Sequence, residues 1–233
     1  MRPTAIVAPS EFRFQPAFPR RRLPRRESWG RQETRKTSMS LDDEKTRLRA
    51  LARRRRDAAN QAARPGAGQA LRDNFVAAMA AMGIPAGGQV VAGYLPIKGE
   101  MDVRVLLSHL HGEGFVCALP VVGAPGAALV FRRWAPGAPL EKGRFGTRHP
   151  EPAEPELRPD VVLAPLLAFD AQGYRLGWGG GYYDRTIEEL RGNGPLVAVG
   201  VAYAAQQADS VPHSGRDQRL DWVVTEDGAV RVG

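Results

Sequence analysis

The sequence predicts an α/β chain folded as a three-layer α/β/α sandwich around a mostly parallel sheet. Three observations predict it. The runs from Val161 to Phe169 and from Val197 to Tyr203 are of strand length and nearly all apolar, as strands covered on both faces are. Stripes of apolar residues at helical spacing separate such runs, and alternating strand and helix patterns favour helices on both sides of one sheet. With 233 residues and 43% hydrophobic content, the chain holds enough apolar surface for one substantial domain.

The elements follow in order. Residues 1–38 are rich in Arg and Pro without a period, and are expected to form a disordered basic extension ahead of a single domain over 39–233. Met39 is a plausible alternative start, and an organelle transit peptide is the other reading of the Arg-rich stretch. Ser40 is placed to cap a helix whose first turn carries Asp42, Asp43 and Glu44. Lys45, Arg47, Arg49 and the run Arg53 to Arg56 follow, with Leu48 and Leu51 as a thin apolar edge. Pro65-Gly66 ends this helix. Leu71, Phe75, Val76, Met79 and Met82 form the core stripe of the next one.

A strand from Gln89 to Leu95 leads through Pro96 to Asp102 into a helix with the stripe Val103, Leu106, Leu107 and Leu110. Glu100 thus lies between the carboxyl end of a strand and a helix start, where ligands bind in α/β folds; a capping acid in a surface loop is the alternative. Strands are expected from Phe115 to Val122 and from Ala128 to Trp134, and the proline-rich stretch from Pro136 to Pro159 reads as a long surface connection. The last strand follows Asp221.

The stretch from Val161 to Arg185, VVLAPLLAFDAQGYRLGWGGGYYDR, carries the chemistry. Its strand ends near Pro165, which lacks a ladder donor. Asp170 to Gly173 forms a turn. Gly177, Gly179, Gly180 and Gly181 then let the backbone approach a ligand closely, and a helix begins at Gly181 or Tyr182. A strand, a glycine loop and a helix start together make a phosphate cradle. Arg175 adds a cation, Asp184 an oxygen ligand for magnesium, and Trp178, Tyr182 and Tyr183 flat faces for a ring. A glycine-rich surface loop with a core tyrosine is the alternative.

Composition narrows the function classes. Residues 1–40 hold +7 of the net +8 charge, so the domain itself is nearly neutral and no nucleic-acid partner is expected. No apolar run reaches membrane-spanning length, so no membrane partner is expected either. Cys117, the single cysteine, has no disulfide partner and sits in an apolar run, consistent with a reducing cytoplasm. His109 and His111, two apart, do not share a helix face, and no zinc is expected.

The run LAPLLAFDAQGYRLGWGGGYYDR resembles the signature of the 5-formyltetrahydrofolate cyclo-ligase family (5,10-methenyltetrahydrofolate synthetases). The resemblance extends over about residues 41 to 226. It implies ATP- and magnesium-dependent conversion of 5-formyltetrahydrofolate, as the monoglutamate or polyglutamylated, to 5,10-methenyltetrahydrofolate, ADP and phosphate by a cytoplasmic monomer. Lys45-Thr46-Arg47-Leu48-Arg49 carries the family's ATP-contacting pattern, which assigns Lys45 and Arg49 to ATP together with Arg175, Leu176, Gly177, Trp178, Gly179, Gly180, Gly181, Tyr182 and Tyr183. YLPIKGEMDVRVLL resembles the folate-contacting segment, which assigns Glu100 and Leu95 to the substrate, with Trp178, Gly179, Gly180, Gly181 and Tyr182. Asp184 and Asp221 match the magnesium positions; Asp221 also reads as a plain strand-start carboxylate. Where family members carry His-Asp, this chain has Arg216-Asp217. Two other readings compete: a relative sharing the fold but not the chemistry, and an RNA-binding protein using the basic extension.

Overall fold

The computed structural model describes residues 39–63 and 66–232; the expectation of disorder for 1–38 lies outside the described residues. In chain order the elements are α1 (Leu41–Ala62), α2 (Ala67–Met82), β1 (Val90–Ala92), α3 (Arg104–Gly112), β2 (Val116–Val121), β3 (Val130–Arg133), β4 (Leu140–Lys142), β5 (Arg148–Pro150), β6 (Val161–Pro165), β7 (Ala168–Phe169), β8 (Arg175–Leu176), α4 (Tyr182–Gly192), β9 (Val197–Val201), β10 (Trp222–Thr225) and β11 (Gly228–Arg231).

The main sheet has seven strands in the order β11-β10-β9-β6-β1-β2-β3. The five inner strands are parallel, and β3 and β11 close the edges antiparallel. The alternation of the pleat sorts side chains by size. Val91, Cys117, Leu119, Val161, Leu163, Val199 and Val201 pack on Leu71 and Phe75 of α2 and Leu106, Leu107 and Leu110 of α3. The opposite face presents Ala92, Ala118, Val162, Ala164 and Ala198 toward Ile187 and Leu190 of α4. Small residues on that face let α4 approach closely. At Gly200 a Cβ would come 2.5 Å from a Leu220 methyl and 2.9 Å from one of Leu166. These faces give the expected three layers.

Local chemistry sets the boundaries. Ser40 Oγ accepts from the Asp43 N–H and caps α1. The αL residue Gly83 closes α2. Asp102 Oδ1 accepts from the Arg104 N–H, just ahead of α3. Two expectations need correction. Val76 of the α2 stripe is 39% exposed, because the stripe is narrower than its apolar spacing suggests. The stretch expected to be a plain connection, Pro136 to Pro159, contains a β4–β5 ribbon, with Leu140 opposite Pro150, Glu141 opposite His149 and Lys142 opposite Arg148. Its turn holds Phe145 at a positive φ of 58° and 64% exposed.

Candidate active site

The loops leaving the carboxyl ends of β1, β6 and β9 meet α1 over a crevice of about 530 Å³. The loop after β6 forms its floor. Asp170 folds that loop: its Oδ1 accepts from the N–H groups of Gln172 and Tyr174, and its Oδ2 from that of Val211. This carboxylate ties the β7–β8 turn to the segment beyond β9 and fixes where Arg175 and the glycines emerge.

The glycine loop then crosses the mouth of the crevice. Gly179 has φ of +105°, and Gly181, the N-cap of α4, has φ of +65°. No side chain caps α4. Its first-turn N–H groups and the positive end of its dipole are left for an anion. Arg49 of α1 reaches over the loop, with Nε donating to the Gly177 carbonyl at 3.1 Å. A Cβ on Gly179 would stand 3.4 Å from the Arg49 guanidinium, so glycine allows this close approach.

Two ion pairs face the same crevice. Lys45 Nζ donates to Asp217 Oδ1 and Oδ2 at 2.7 and 2.8 Å. Arg175, with 4% of its side chain exposed, donates to Asp184 Oδ1 at 2.7 Å and to the Gln218 carbonyl. The Gln218 N–H also donates to Asp184 Oδ1, at 3.0 Å, so Asp184 and the residue after Asp217 are joined directly. Burial pushes the Arg175 guanidinium below its ordinary value, against the opposing pull of Asp184 and Asp217. Lys45 and the Ser214 N–H and hydroxyl hold the Asp217 carboxyl below the usual range, although desolvation works the other way and is the largest single effect.

An apolar and aromatic part of the lining comes from Tyr94, Leu95, Ile97, Phe145, Trp178 and Tyr182, with Asp42, Lys98, Thr147 and Arg148 as further polar members. Glu100 is set into it, 7% exposed. Its Oε2 accepts from the Ile97 N–H and its Oε1 from Trp178 Nε1, each at 3.0 Å. Burial raises its pKa above the ordinary 4.5, opposed by these hydrogen bonds and by Arg56 and Lys98.

Of the residues singled out in the sequence, Lys45, Arg49, Leu95, Glu100, Arg175, Leu176, Gly177, Trp178, Gly179, Gly180, Gly181, Tyr182, Tyr183 and Asp184 all line this crevice. Asp221 does not. It precedes β10, at the amino end of a parallel strand and so at the opposite end of the sheet from the crevice. There its Oδ2 accepts from the Ala198 N–H at 2.7 Å, and both carboxylate oxygens accept from Arg191 Nη2 at 3.0 and 2.9 Å. Asp217, four residues earlier, does lie in the lining, next to the Gln218 N–H that donates to Asp184. Ser214 closes the turn that carries it, donating from its N–H and hydroxyl to Asp217 Oδ2, and no spacing in the sequence marks Asp217 over Asp221. Tyr94, whose hydroxyl donates to the Met101 carbonyl, was also missed; it sits in an ordinary apolar strand pattern.

Among the described residues no group of three or more His, Cys, Asp or Glu side chains stands ready to hold a metal alone. The carboxylates of Asp184 and Asp217, part-exposed in one crevice with the uncapped start of α4, do fit magnesium. This ion is commonly held by one or two carboxylates plus substrate phosphates.

Comparison with known proteins identifies the family. Residues 40–226 match the model of the 5-formyltetrahydrofolate cyclo-ligase family. The 5-formyltetrahydrofolate cyclo-ligase of Mycolicibacterium smegmatis is 31% identical over 189 residues, covering 78% of this chain and 93% of the relative. That of Haemophilus influenzae is 34% identical over 127 residues, covering 52% and 67%. The solution structure of the Aquifex aeolicus 5,10-methenyltetrahydrofolate synthetase superposes with a TM-score of 0.64 at 31% identity, over 80% of this chain and 92% of that one. The crevice, its glycine loop and the basic face of α1 all fall inside the matched span, and the chain belongs to the 5-formyltetrahydrofolate cyclo-ligase family, enzymes of the ligase class that act in folate metabolism.

Proposed function

We propose that this chain uses ATP and magnesium to convert 5-formyltetrahydrofolate to 5,10-methenyltetrahydrofolate, releasing ADP and phosphate. One observation carries the reading: a single crevice holds both an uncapped glycine-loop helix start overlaid by Lys45 and Arg49, and an apolar wall with the buried carboxylate Glu100. The first suits a polyphosphate and the second a flat, hydrogen-bonding ring.

Phosphoryl transfer asks the protein mainly for positioning and charge stabilisation. The formyl oxygen attacks the γ-phosphorus, the bond to ADP breaks, and the formyl carbon becomes an iminium carbon bearing a phosphate ester. N10 then attacks that carbon, phosphate departs with the former formyl oxygen, and N10 gives up its proton. Lys45, Arg49 and Arg175 bind and orient the phosphates and stabilise charge as it moves to ADP. The N–H groups of the loop and of the first turn of α4 aim at the transferred group. Asp184 and Asp217 would hold magnesium, which supplies charge neutralisation across phosphate oxygens. Glu100, fixed by Ile97 and Trp178, orients the pterin by accepting hydrogen bonds, and Leu95, Trp178 and Tyr182 wall it from water. No step needs a covalent nucleophile on the protein.

Residues 1–38 are proposed to be dispensable for this reaction, and the domain to act as a monomer in the cytoplasm. Among the described residues no helix is long and apolar enough to cross a membrane. The test is to incubate residues 39–233 with 5-formyltetrahydrofolate and Mg-ATP and to follow methenyl absorbance. Product that depends on ATP is the expected result. Folded protein without product, with the full chain equally inactive, would overturn the assignment.

A further inference from the structure

Behind Trp178 lies a second cleft of about 530 Å³, between α1 and the Lys98-Gly99 turn. Arg53, Arg56 and Lys98 line it, and each places its charge near the Trp178 ring, with Cζ or Nζ at 5.1, 5.0 and 5.1 Å from the centroid. Among the described residues Asp57 is the one acid in the lining. Three cations gathered on one ring repel one another, and Asp57 in the lining with Glu100 at the indole N–H sets only two carboxylates against them. Asp57 is moreover already engaged, accepting from Arg56 Nε and Nη2.

A second observation is independent of the charge count. Arg56 is 2% exposed, and its Nη1 has no hydrogen-bond partner among the described residues. A buried guanidinium donor without an acceptor is costly. Lys98 is held at a positive φ of 48°, outside the region a lysine prefers, and this turn brings its chain over the ring. The amide side chains of Asn60 and Gln61 complete a polar, open rim.

We propose that this cleft is a second binding site, for an oxyanion bearing carboxylate or phosphate groups, distinct from the phosphate cradle of the glycine loop. Trp178 is shared by the two cavities and donates to Glu100, so an anion seated here steadies the wall of the reaction crevice. The anion has two possible sources: carboxylates at the far end of a bound γ-glutamyl substrate, or a free small anion. The first source rests on the function proposed above; the site itself does not.

The experiment titrates inorganic phosphate and free tri-γ-glutamate into the full chain by calorimetry, comparing wild type with Arg53→Glu and Lys45→Ala. Arg53 is exposed and does not line the reaction crevice, so its replacement leaves the fold intact. At least a tenfold loss of affinity in Arg53→Glu, with binding kept in Lys45→Ala, places the anion in this cleft. Equal affinity in Arg53→Glu and wild type, or loss only in Lys45→Ala, overturns the proposal. A kinetic arm identifies the source, using 5-formyltetrahydrofolate with one and with three glutamates. A KM advantage of the longer substrate that Arg53→Glu abolishes identifies its tail as the ligand. An unchanged KM ratio together with Arg53-dependent phosphate binding identifies a free anion. The calorimetry needs no turnover, so its failure is separate from failure of the cyclo-ligase reading.

Discussion

Asp217 and Asp221 lie four residues apart, and only one of them faces the crevice, so a paired substitution tests the site directly. Asp217→Asn removes one unit of negative charge from the lining and frees Lys45 at the same time. A unit charge about 4 Å from a cation is worth about 1 kcal/mol in bulk water and about 4 kcal/mol at the effective dielectric near a protein surface. The side chains of Asp217 and Asp184 are 18% and 29% exposed, which places the crevice between those limits. A loss of about 2–3 kcal/mol follows, raising the magnesium requirement about 30- to 150-fold. The Lys45–Asp217 pair is mostly buried, so its rupture also lowers stability by about 1–2 kcal/mol, between the ranges for exposed and fully buried pairs. Asp221→Asn touches a more exposed pair with Arg191 at the far end of the sheet and is expected to cost about 1 kcal/mol or less. Its magnesium dependence should match wild type. The assay is initial rate against free magnesium at saturating ATP, with thermal melts alongside. A raised magnesium requirement in Asp221→Asn and an unchanged one in Asp217→Asn would refute the placement of the carboxylates.

Arg49→Ala removes the donor to the Gly177 carbonyl and a phosphate-facing cation, so the KM for ATP should rise at least tenfold while the melt stays near wild type, measured by steady-state kinetics. Glu100→Gln leaves either the Ile97 N–H or Trp178 Nε1 facing an amide donor, at about 1–3 kcal/mol, and should raise the KM for 5-formyltetrahydrofolate more than that for ATP. The same variant carries a pH signature. The Glu100 pKa is raised by burial, so as pH climbs from the ordinary carboxylate value of 4.5 the unfolded state releases this proton first, and wild-type stability falls through that window. Denaturant titrations of Glu100→Gln should lose that component of the slope, and an unchanged slope would contradict the burial argument. Gly200→Ala drives a methyl into Leu220 and Leu166 and should destabilise by about 1–3 kcal/mol without altering either KM, as urea melts and kinetics would show. The Cys117 thiol, 1% exposed and pushed up by burial to about 11, should resist alkylation in the native protein and react on unfolding.

The parallel core was legible in the sequence because β6 and β9 are buried on both faces, which leaves an apolar run where a half-exposed strand would alternate. The glycine loop was legible as a loop because closely spaced glycines interrupt both periods between a strand and a helix start. The β4–β5 ribbon was not. Its strands are three residues long, carry Glu141, Lys142, Arg148 and His149, and bury little, so neither period nor hydrophobicity marks them. Nor was the choice of Asp217 over Asp221. Both precede the last parallel strand, and only the return of the chain from one end of the sheet to the other separates them. The run Arg53 to Arg56 looks like one solvated face, yet only Arg56 turns inward. Lys45, Arg49, Ala52 and Arg56 are spaced four, three and four apart, a helical stripe that carries charge where a core stripe would carry leucine.

That stripe explains why α1 differs from the other helices. Its inward face packs on the β7–β8 ribbon and the segment beyond β9, with Ala52 among Leu167, Ala168, Leu176 and Val211, and reaches the glycine loop through Arg49. Its two buried residues are Ala52 and Arg56, so little of its attachment is apolar. The crevice beneath it is nearly balanced in charge: Lys45 is matched by Asp217 and Arg175 by Asp184, while Arg49 meets only a carbonyl among the described residues. A polyphosphate without a metal would meet two carboxylates already holding the cations it needs. On the function proposed above, Asp184 and Asp217 would hold magnesium, whose charge would offset theirs and leave Lys45 and Arg175 for the phosphates. On this arrangement the metal and the nucleotide bind with mutual gain, because each satisfies the charges that the other displaces. Calorimetry should therefore find ATP affinity at least tenfold weaker in chelator than in magnesium, and the gap should narrow in Asp217→Asn, where one of the repelling carboxylates is gone. An equal gap in that variant would mean that Asp217 takes no part in the exchange.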